Sequence, residues 1–249
     1  AQQLDRLIRK IKCSFDLQHC VEFTVEAGRP DSITRDKLEV LKKHGIVDRI
    51  SINPQTMKQE TLDLIGRHHT VEQIKESFAM AREVGFDNIN MDLIAGLDGE
   101  NLKTFKTSLN KCINLNPTYI TVHTLSIKNT SNLKLNGGEV SKAKTVSNMV
   151  NYAYKKLRKN GYNPYYLYRQ KNMIGNHENI GYTKNLSCVF NVISMEELAS
   201  VVAVGANAIS KKYTIENNRI DRFANVKNIN EYINRVNEMV EKKINLFKN

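Results

Sequence analysis

The sequence lacks the features that mark membrane-spanning, secreted and zinc-binding proteins. No run of about 18 apolar residues is present, which argues against a membrane-spanning helix. The opening residues, AQQLDRLIRKIK, have no apolar core, so they are not predicted to form a signal peptide. The four cysteines include no C-x-x-C pair, which argues against a zinc site or a thioredoxin-type pair. We predict a cytoplasmic, reducing location and no metal-binding residues in this chain.

The common nucleotide-binding motifs are also absent from the sequence. The segment Gly96-Leu97-Asp98-Gly99 is not a G-x-G-x-x-G motif, and the sequence contains no P-loop. No arginine-rich run or RNA-binding signature accompanies the formal net charge of +11, so we predict no nucleic-acid partner. The positive charge has two interpretations: solvated lysine-rich helix faces, or attraction of an anionic substrate such as a polycarboxylate.

The first half of the chain alternates helices and strands. Four segments with strand-like patterns are separated by segments with helical spacing, and they span residues 20–28, 47–53, 86–97 and 119–127. Thr34 is predicted to cap one helix, and Thr70 with Gln73 forms a predicted capping box on another. Strands joined by helices of this length pair in parallel through right-handed crossovers. The pattern therefore predicts an α/β fold with a parallel sheet.

The second half is organised differently. Residues 128–140 are polar and contain glycine, which is typical of a loop or boundary. A long amphipathic helix is predicted after them. Ser194 with Glu197 predicts a helix through about Val204, and one amphipathic helix is predicted over residues 229–248.

An aromatic segment lies between these helices. YNPYYLYR contains Tyr162, Tyr165, Tyr166 and Tyr168. These rings could stack on a flat ligand, or they could belong to a half-buried strand, because aromatic residues favour strands. The pattern does not decide between the two interpretations.

Polar side chains stand where each of the four predicted strands ends. In parallel α/β folds the active site lies at the carboxyl ends of the strands, so we expect these residues to form one polar pocket. The candidates, in strand order, are Glu26; Asn53, Pro54 and Gln55; Asn90, Asp92 and Gly96; and His123, Thr124 and Ser126.

Most of these residues also have a purely structural interpretation. Glu26 could cap a turn, Gln55 could satisfy loop backbone groups, and Arg67 could simply stabilise a helix end. Asp92 differs, because it lies inside an apolar strand, where an unpaired carboxylate costs on the order of several kcal/mol. Asp92 is therefore the strongest candidate for a functional residue.

A resemblance to a known family rests on segments that occur in order: VEFTVEAGRPDSIT, DRISINPQTM, TLDLIGRHHT, FDNINMDLIAGL, YYLYRQKNMIGNHENIGYTK and VVAVGANAIS. They resemble radical S-adenosylmethionine (SAM) enzymes of the oxygen-independent coproporphyrinogen III oxidase family, in its coproporphyrinogen dehydrogenase-like branch. The resemblance implies a partial parallel (β/α) barrel over residues 1–127, whose strands are similar to strands three to six of the family barrel. It also implies a mainly α carboxy-terminal domain over residues 128–249.

The resemblance further implies a SAM site on this chain. Glu26 resembles the acidic residue that contacts SAM, and Gln55 resembles the glutamine of the SAM pocket. Arg67 resembles the arginine that pairs with the SAM carboxylate. Asp92 resembles the aspartate that binds the ribose.

This chain departs from the family's sequence pattern in two places. Ala95 and Gly96 fall in the segment expected near adenine, where the family usually has G-L-P and this chain has Gly96-Leu97-Asp98. The family's C-x-x-x-C-x-x-C loop and G-G-T-P segment are not present in this sequence. The implied cofactors are thus SAM and, in an intact parent, a [4Fe–4S] cluster whose ligands this chain does not contain.

The activity implied for the intact parent is oxidative decarboxylation of coproporphyrinogen III propionates to vinyl groups, a step of haem biosynthesis on a tetrapyrrole substrate. We expect this chain alone to be inactive, because it offers no three closely spaced thiolates. A haem-chaperone-like relative and a non-catalytic SAM-binding module are the alternatives. The first predicted strand would expose a sheet edge, so we also predict that a partner or another element covers it.

Overall fold

The computed structural model describes three ranges of the chain: residues 1–126, 143–185 and 188–248. The chain divides into two compact units, Ala1–Val189 and Phe190–Asn249. The predicted domain boundary between residues 127 and 128 and the predicted loop over residues 128–140 lie outside the described residues.

The first unit is built from six strands and six helices among its described residues. The strands are β1 (Thr24–Gly28), β2 (Arg49–Ile52), β3 (Asn88–Ala95), β4 (Tyr119–Thr124), β5 (Asn163–Tyr168) and β6 (Asn179–Thr183). The helices are α1 (Gln2–Ser14), α2 (Arg35–Lys43), α3 (Gln59–Leu64), α4 (Val71–Val84), α5 (Leu102–Leu115) and α6 (Ala143–Lys159).

All six strands lie in one sheet, in the order β1-β2-β3-β4-β6-β5. Strands β1 to β4 pair in parallel, and helices connect each to the next. Strand β6 pairs antiparallel with β4, and β5 pairs antiparallel with β6. Parallel strands joined by helices form the partial (β/α) barrel, so the predicted fold class is confirmed. Within the described residues, β1 lies at one edge of this sheet.

One face of the sheet forms the apolar core together with the helices. Ile50, Leu93 and Val122 are buried on β2, β3 and β4 and belong to a cluster that includes Phe78 of α4 and Leu109 of α5. Successive side chains of a strand point to opposite faces, so the residues between these apolar positions lie on the other face. The alternation thus leaves that other face for polar side chains.

The predicted helix caps are confirmed. The Thr34 hydroxyl accepts a hydrogen bond from the backbone N–H of Lys37 at 3.4 Å, at the start of α2. At the start of α4, the N–H of Gln73 donates to the Thr70 hydroxyl at 3.1 Å, and the N–H of Thr70 donates to the Gln73 side chain at 2.8 Å. These bonds satisfy N–H groups that have no partner inside the helix.

The second unit contains a two-stranded antiparallel sheet of β7 (Ile209–Thr214) and β8 (Arg219–Ala224). The remaining helices are α7 (Val189–Glu196), α8 (Ile229–Asn234) and α9 (Val236–Lys248). Helices contribute more described residues than strands after residue 142, as expected for a mainly α carboxy-terminal part. None of the helices in the described ranges has both the length and the apolar character needed to cross a bilayer.

The helix predicted to begin at Ser194 is wrong. Ser194 lies inside α7, which ends where Glu197 adopts a positive φ of 53°. The Glu197 carboxylate accepts hydrogen bonds from Lys211 on β7 and Arg222 on β8. Its partners are therefore side chains distant in sequence, and the capping pattern could not reveal them.

The single terminal helix predicted over residues 229–248 is also wrong, because Arg235 interrupts it between α8 and α9. Arg235 has φ −114° and ψ 20°, and its guanidinium pairs with Glu231 before the break and Glu238 after it. The apolar periodicity continues across the interruption, so periodicity alone could not locate the break.

A buried carboxylate ties two loops of the first unit together. Glu100, which is 7% exposed, accepts a hydrogen bond from the Thr56 hydroxyl, and that hydroxyl lies 3.2 Å from the Ser108 hydroxyl. Among the described residues, neither Glu100 Oε2 nor the Thr61 hydroxyl has a partner in good hydrogen-bond geometry, although the Thr61 hydroxyl lies close enough to lower the pKa of Glu100. Burial raises the pKa of Glu100, although the Thr56 hydrogen bond and the charge of Lys58 oppose that shift.

We predict that Glu100→Gln stabilises the chain at neutral pH by about 1 kcal/mol. A pKa that is higher in the folded than in the unfolded state makes the ionised carboxylate costly above the folded-state pKa. That cost vanishes below the unfolded-state pKa, where the carboxyl is neutral in both states. Urea denaturation from acidic to neutral pH should therefore show that the stability gained by Glu100→Gln over the wild type becomes smaller as the pH falls. Glu39→Gln, on the exposed surface of α2, is the control, and an equal gain at every pH would contradict this explanation.

Candidate functional site

The polar face of the sheet carries a set of side chains that we call the inner polar network. The parallel register places Ser51 beside Asn90 and Asp92 beside Thr121, on the face opposite the apolar core. The members are Glu26 on β1, Arg49 and Ser51 on β2, Asn90 and Asp92 on β3, and Thr121 and His123 on β4.

Hydrogen bonds connect this network across four strands. The Ser51 hydroxyl donates to Glu26 Oε1 at 3.0 Å, and the Asn90 amide lies 3.4 Å from the Ser51 hydroxyl. The same amide donates to Asp92 Oδ1 at 2.7 Å, and the Thr121 hydroxyl donates to Asn90 Oδ1 at 3.1 Å. The network thus brings Glu26 and Asp92, two predicted site residues, into one connected arrangement.

Asp92 lies at the centre of the network, with its side chain 15% exposed. His123 Nε2 lies 3.5 Å from Asp92 Oδ2, on the side away from Asn90. Burial alone would raise the pKa of Asp92, but the His123 imidazole, the Asn90 amide and the Arg49 charge outweigh it and hold the pKa below its usual value. Asp92 is therefore an ionised acceptor at neutral pH.

Tyrosines of β5 contact the inner polar network at His123 of β4. The Tyr168 hydroxyl lies 3.3 Å from His123 Nδ1, and the Tyr166 and Tyr168 rings are stacked at 6.0 Å with an interplanar angle of 7°. Gly181 on β6 makes room for Tyr166, because a Cβ there would lie 1.9 Å from the Tyr166 ring. The half-buried-strand interpretation of the tyrosine segment is therefore confirmed.

Gln55 joins the network through its backbone. Its N–H donates to the Asp92 carbonyl at 2.9 Å, and its carbonyl accepts from the Ile94 N–H at 2.9 Å, so the pairing with β3 continues past the end of β2. The residue is buried and has a φ of 68°, in the left-handed region that few residues other than glycine adopt. This geometry fixes the loop after β2 against the strand that carries Asp92.

Arg67 lies close enough to Asp92 for the two charges to interact. Burial and the neighbouring Arg29 charge lower the pKa of Arg67, whereas the charges of Asp31 and Asp92 raise it. The guanidinium remains protonated. Asp31 and, more weakly, Asp92 are the carboxylates whose charges act on this half-buried cation.

Ala95 and Gly96 follow Asp92 along the chain but do not share its face. Ala95 is fully buried, and its carbonyl accepts a hydrogen bond from the Leu125 N–H at 3.0 Å. Gly96 has a φ of 95°, and a Cβ at this position would lie 2.9 Å from Val146 Cγ2 on α6. Packing against α6 therefore explains the glycine without a ligand, and a role for these two residues near adenine stays a prediction.

The other strand-end candidates mainly satisfy backbone groups. The Ser126 hydroxyl donates to the Lys171 carbonyl at 2.7 Å, and the Thr124 hydroxyl lies 3.4 Å from the Glu178 carbonyl. Asn53 Oδ1 is buried with no hydrogen-bond partner in the described part of the chain. These residues support the end of the sheet and do not join the inner polar network.

The chain is similar in sequence to several known proteins. The profile of the radical SAM superfamily matches residues 2–112. The oxygen-independent coproporphyrinogen-III oxidase-like protein HemZ of Bacillus subtilis is 44% identical over 248 residues, which cover 98% of this chain and 49% of HemZ. Residues 2–112 therefore form a radical SAM domain. The predicted resemblance to the coproporphyrinogen III oxidase family is confirmed.

Two further relatives are informative. The haem chaperone HemW of Bacillus subtilis is 39% identical over 125 residues, which cover 50% of this chain and 32% of HemW. Coproporphyrinogen III oxidase (HemN) from Escherichia coli, a radical SAM enzyme of known structure, shares the fold with a TM-score of 0.72 and 20% identity, over 95% of this chain and 54% of HemN. The chain thus spans about half the length of HemZ and HemN and less of HemW.

The cysteines of this radical SAM chain do not provide the ligand set of an iron–sulfur cluster. In residues 1–126, 143–185 and 188–248, no group of three or more His, Cys, Asp or Glu side chains could hold a metal ion. Cys13 and Cys20 are exposed, whereas Cys112 and Cys188 are buried, and no disulfide links these four residues. The donors therefore do not fit a [4Fe–4S] cluster, which requires cysteine thiolates.

Sequence reasoning missed Arg49, the buried cation of the inner polar network. Arg49 is 4% exposed, its guanidinium lies over the Tyr119 ring at 4.8 Å, and Nη1 lies 3.7 Å from Glu26 Oε1. Arg49 stands near the start of β2, so a search restricted to strand ends passed over it. The alternation of RISI could have indicated it, because Arg49 and Ser51 share the polar face.

We predict that Gly96→Ala destabilises the radical SAM sheet by about 3 kcal/mol, the sum of left-handed backbone strain and overpacking against Val146. Gly161→Ala is the matched control, since Gly161 has a φ of 81° but nothing within 4 Å of a Cβ. It should cost only the strain, about 1 kcal/mol. Equal losses for both variants in chemical denaturation would show that contact with Val146 is unimportant.

Proposed function

We propose that this chain forms the SAM-facing part of a radical SAM oxidoreductase that acts on a tetrapyrrole. The observation that carries the proposal is Asp92: an ionised, half-buried carboxylate held by Asn90 and His123 on the polar face of a radical SAM sheet. Glu26 and Arg67 add an accessible carboxylate and a half-buried cation near it. SAM carries complementary groups, namely ribose hydroxyls, an amine and a carboxylate.

The proposed contacts assign one role to each residue. Asp92 accepts hydrogen bonds from the ribose hydroxyls, and Arg67 pairs with the SAM carboxylate. Glu26, whose side chain is 63% exposed, faces the amine end, and Gln55 lines the pocket between them. Ala95 contributes backbone near adenine, with Gly96 beside it. Bound SAM would supply the oxidising chemistry, while these side chains only bind and orient it.

The cluster that such chemistry needs would be held by residues that this sequence does not contain. The donor set of the chain does not fit it, so we propose that the chain alone is inactive. The intact protein is the unit for which we propose enzymatic activity. Four cysteines without a disulfide between them support the proposed cytoplasmic, reducing location.

A tetrapyrrole substrate is supported by the names of the relatives and by charge. HemZ is a coproporphyrinogen-III oxidase-like protein, and it is similar to nearly the whole chain. A formal net charge of +11 suits a substrate with several carboxylates. We propose oxidative decarboxylation of coproporphyrinogen III propionates to vinyl groups, within haem biosynthesis. We also propose that another element or chain covers the β1 edge of the sheet.

A second candidate function is haem handling without oxidation. The similarity to the haem chaperone HemW covers half of the chain, which favours this alternative for the same fold. A non-catalytic SAM-binding module is the third possibility, and it shares the SAM site with the other two.

We predict that Asp92→Asn weakens SAM binding by about tenfold or more, because it replaces a charged acceptor with a neutral amide. Isothermal titration calorimetry on the 249-residue chain measures the change. Asp87→Asn is the matched control, since Asp87 directly precedes β3 and its side chain is 94% exposed. Equal affinities of wild type and Asp92→Asn would refute the role of Asp92. Absence of SAM binding by the wild type would refute the SAM site itself.

The oxidase and chaperone functions differ in product. The intact protein, reconstituted anaerobically with iron, sulfide and SAM and supplied with a one-electron reductant, should convert propionate groups of coproporphyrinogen III to vinyl groups, detected by mass loss of carbon dioxide and hydrogen. Stoichiometric haem binding without vinyl product would favour the chaperone. SAM binding with neither outcome would favour the non-catalytic module.

A further inference from the structure

We propose that His123 is a positioning residue for Asp92 and that Tyr168 holds the His123 imidazole in place. This inference rests on the proposed SAM site. His123 Nε2 lies 3.5 Å from Asp92 Oδ2, and the Tyr168 hydroxyl lies 3.3 Å from His123 Nδ1. The three groups come from β3, β4 and β5, so the arrangement spans strands that are distant in sequence.

The donor and acceptor roles follow from the chemistry of the three groups. Ionised Asp92 can only accept hydrogen bonds, so the inferred tautomer of His123 carries its proton on Nε2. In this tautomer Nδ1 is an acceptor, so the Tyr168 hydroxyl is the donor in the inferred arrangement. Burial raises the pKa of Tyr168, so the hydroxyl keeps the proton that it donates. Each atom therefore has one consistent role.

The arrangement leaves Asp92 oriented but still available. Asn90 donates to Oδ1 at 2.7 Å, and His123 approaches Oδ2, so one neighbour stands beside each carboxylate oxygen. A carboxylate offers about four lone-pair sites, so acceptor capacity remains for ligand hydroxyls. Two fixed neighbours prevent rotation of the carboxylate, and a positioned acceptor loses less freedom when a ligand binds.

The rings beyond His123 limit its movement. Tyr168 approaches the imidazole edge-on at 6.3 Å between ring centroids, and Tyr166 is stacked against Tyr168. Tyr166 lies over Gly181 of β6, where only a glycine leaves room for it. The imidazole is thus held by a packed aromatic pair as well as by a hydrogen bond.

Several charged or titratable groups face Asp92 from the neighbouring elements, and all must be considered in any measurement of its ionisation. They are Arg49 on β2, His123 on β4, Tyr166 and Tyr168 on β5, and Arg67 in the loop after α3. Among these, His123 makes the largest contribution that lowers the pKa of Asp92. Removal of the His123 imidazole should therefore raise the pKa of the Asp92 carboxyl group.

The test compares substitutions at His123 by SAM titration of the full 249-residue chain. His123→Leu removes the donor and should weaken SAM binding about tenfold, whereas His123→Gln restores an N–H donor and should stay within about threefold of wild type. Tyr168→Phe keeps the ring but loses the hydroxyl, and it should fall between them. His19→Leu and Tyr154→Phe, at exposed positions, are the controls.

A double-mutant cycle assigns the effect to Asp92. In the Asp92→Asn background, His123→Leu should change SAM affinity little, because the carboxylate that it positions is gone. Additive losses from the two substitutions, or equal affinities for His123→Leu and His123→Gln, would overturn the positioning role. In those cases the loss caused by Asp92→Asn would still support the proposed SAM site.

A ligand-free measurement separates the inference from the SAM assignment. The carboxyl carbon of Asp92 can be titrated by NMR in each variant. His123→Leu should raise the pKa of Asp92, and His123→Gln should bring it part of the way back. An Asp92 pKa that does not move in His123→Leu would overturn the inference. If the pKa moves while wild type shows no SAM binding, the inference holds and the proposed SAM site fails.

Discussion

A carboxylate on the inner face of a sheet needs partners, and Asp92 imposes this requirement on the residues around it. Asn90 meets it from the same strand and His123 from the next, while the Arg49 charge adds attraction from β2. Each partner is held in turn by another group: Asn90 by Thr121, His123 by Tyr168, and Arg49 by the Tyr119 ring. The polar face is therefore a connected arrangement, because an isolated charge there would be costly.

The same strands that hold this network also form the core. On β2, β3 and β4, apolar residues alternate with members of the inner polar network, so one backbone segment serves stability on one face and ligand chemistry on the other. Ala95 follows Asp92 closely but lies on the core face of β3, and Gly96, just beyond the strand, packs against α6. Proximity along a strand does not imply a shared face.

Much of the first unit could be predicted from sequence, because its strands and helices are set by local periodicity and caps such as Thr70 with Gln73. The strand-end rule also located Glu26, Gln55 and Asp92. It could not show that His123 faces Asp92 or that Tyr168 holds His123, since these contacts depend on strand register and on β5 pairing with β6. Strands β6 to β8 were missed, because their short polar sequences carry little alternation. The break at Arg235 lies within an apolar pattern that continues on both sides of it, so periodicity gives no sign of it.

Gln55 has a consequence for how a ligand would be received. Its left-handed backbone, bonded on both sides to β3, makes the loop after β2 an extension of the sheet. The loop after β2 loses its conformational entropy during folding, before any ligand binds. Recognition at this edge should resemble docking onto a rigid template, with small heat-capacity and structural changes in the loop. Selectivity would then come from shape and charge already in place.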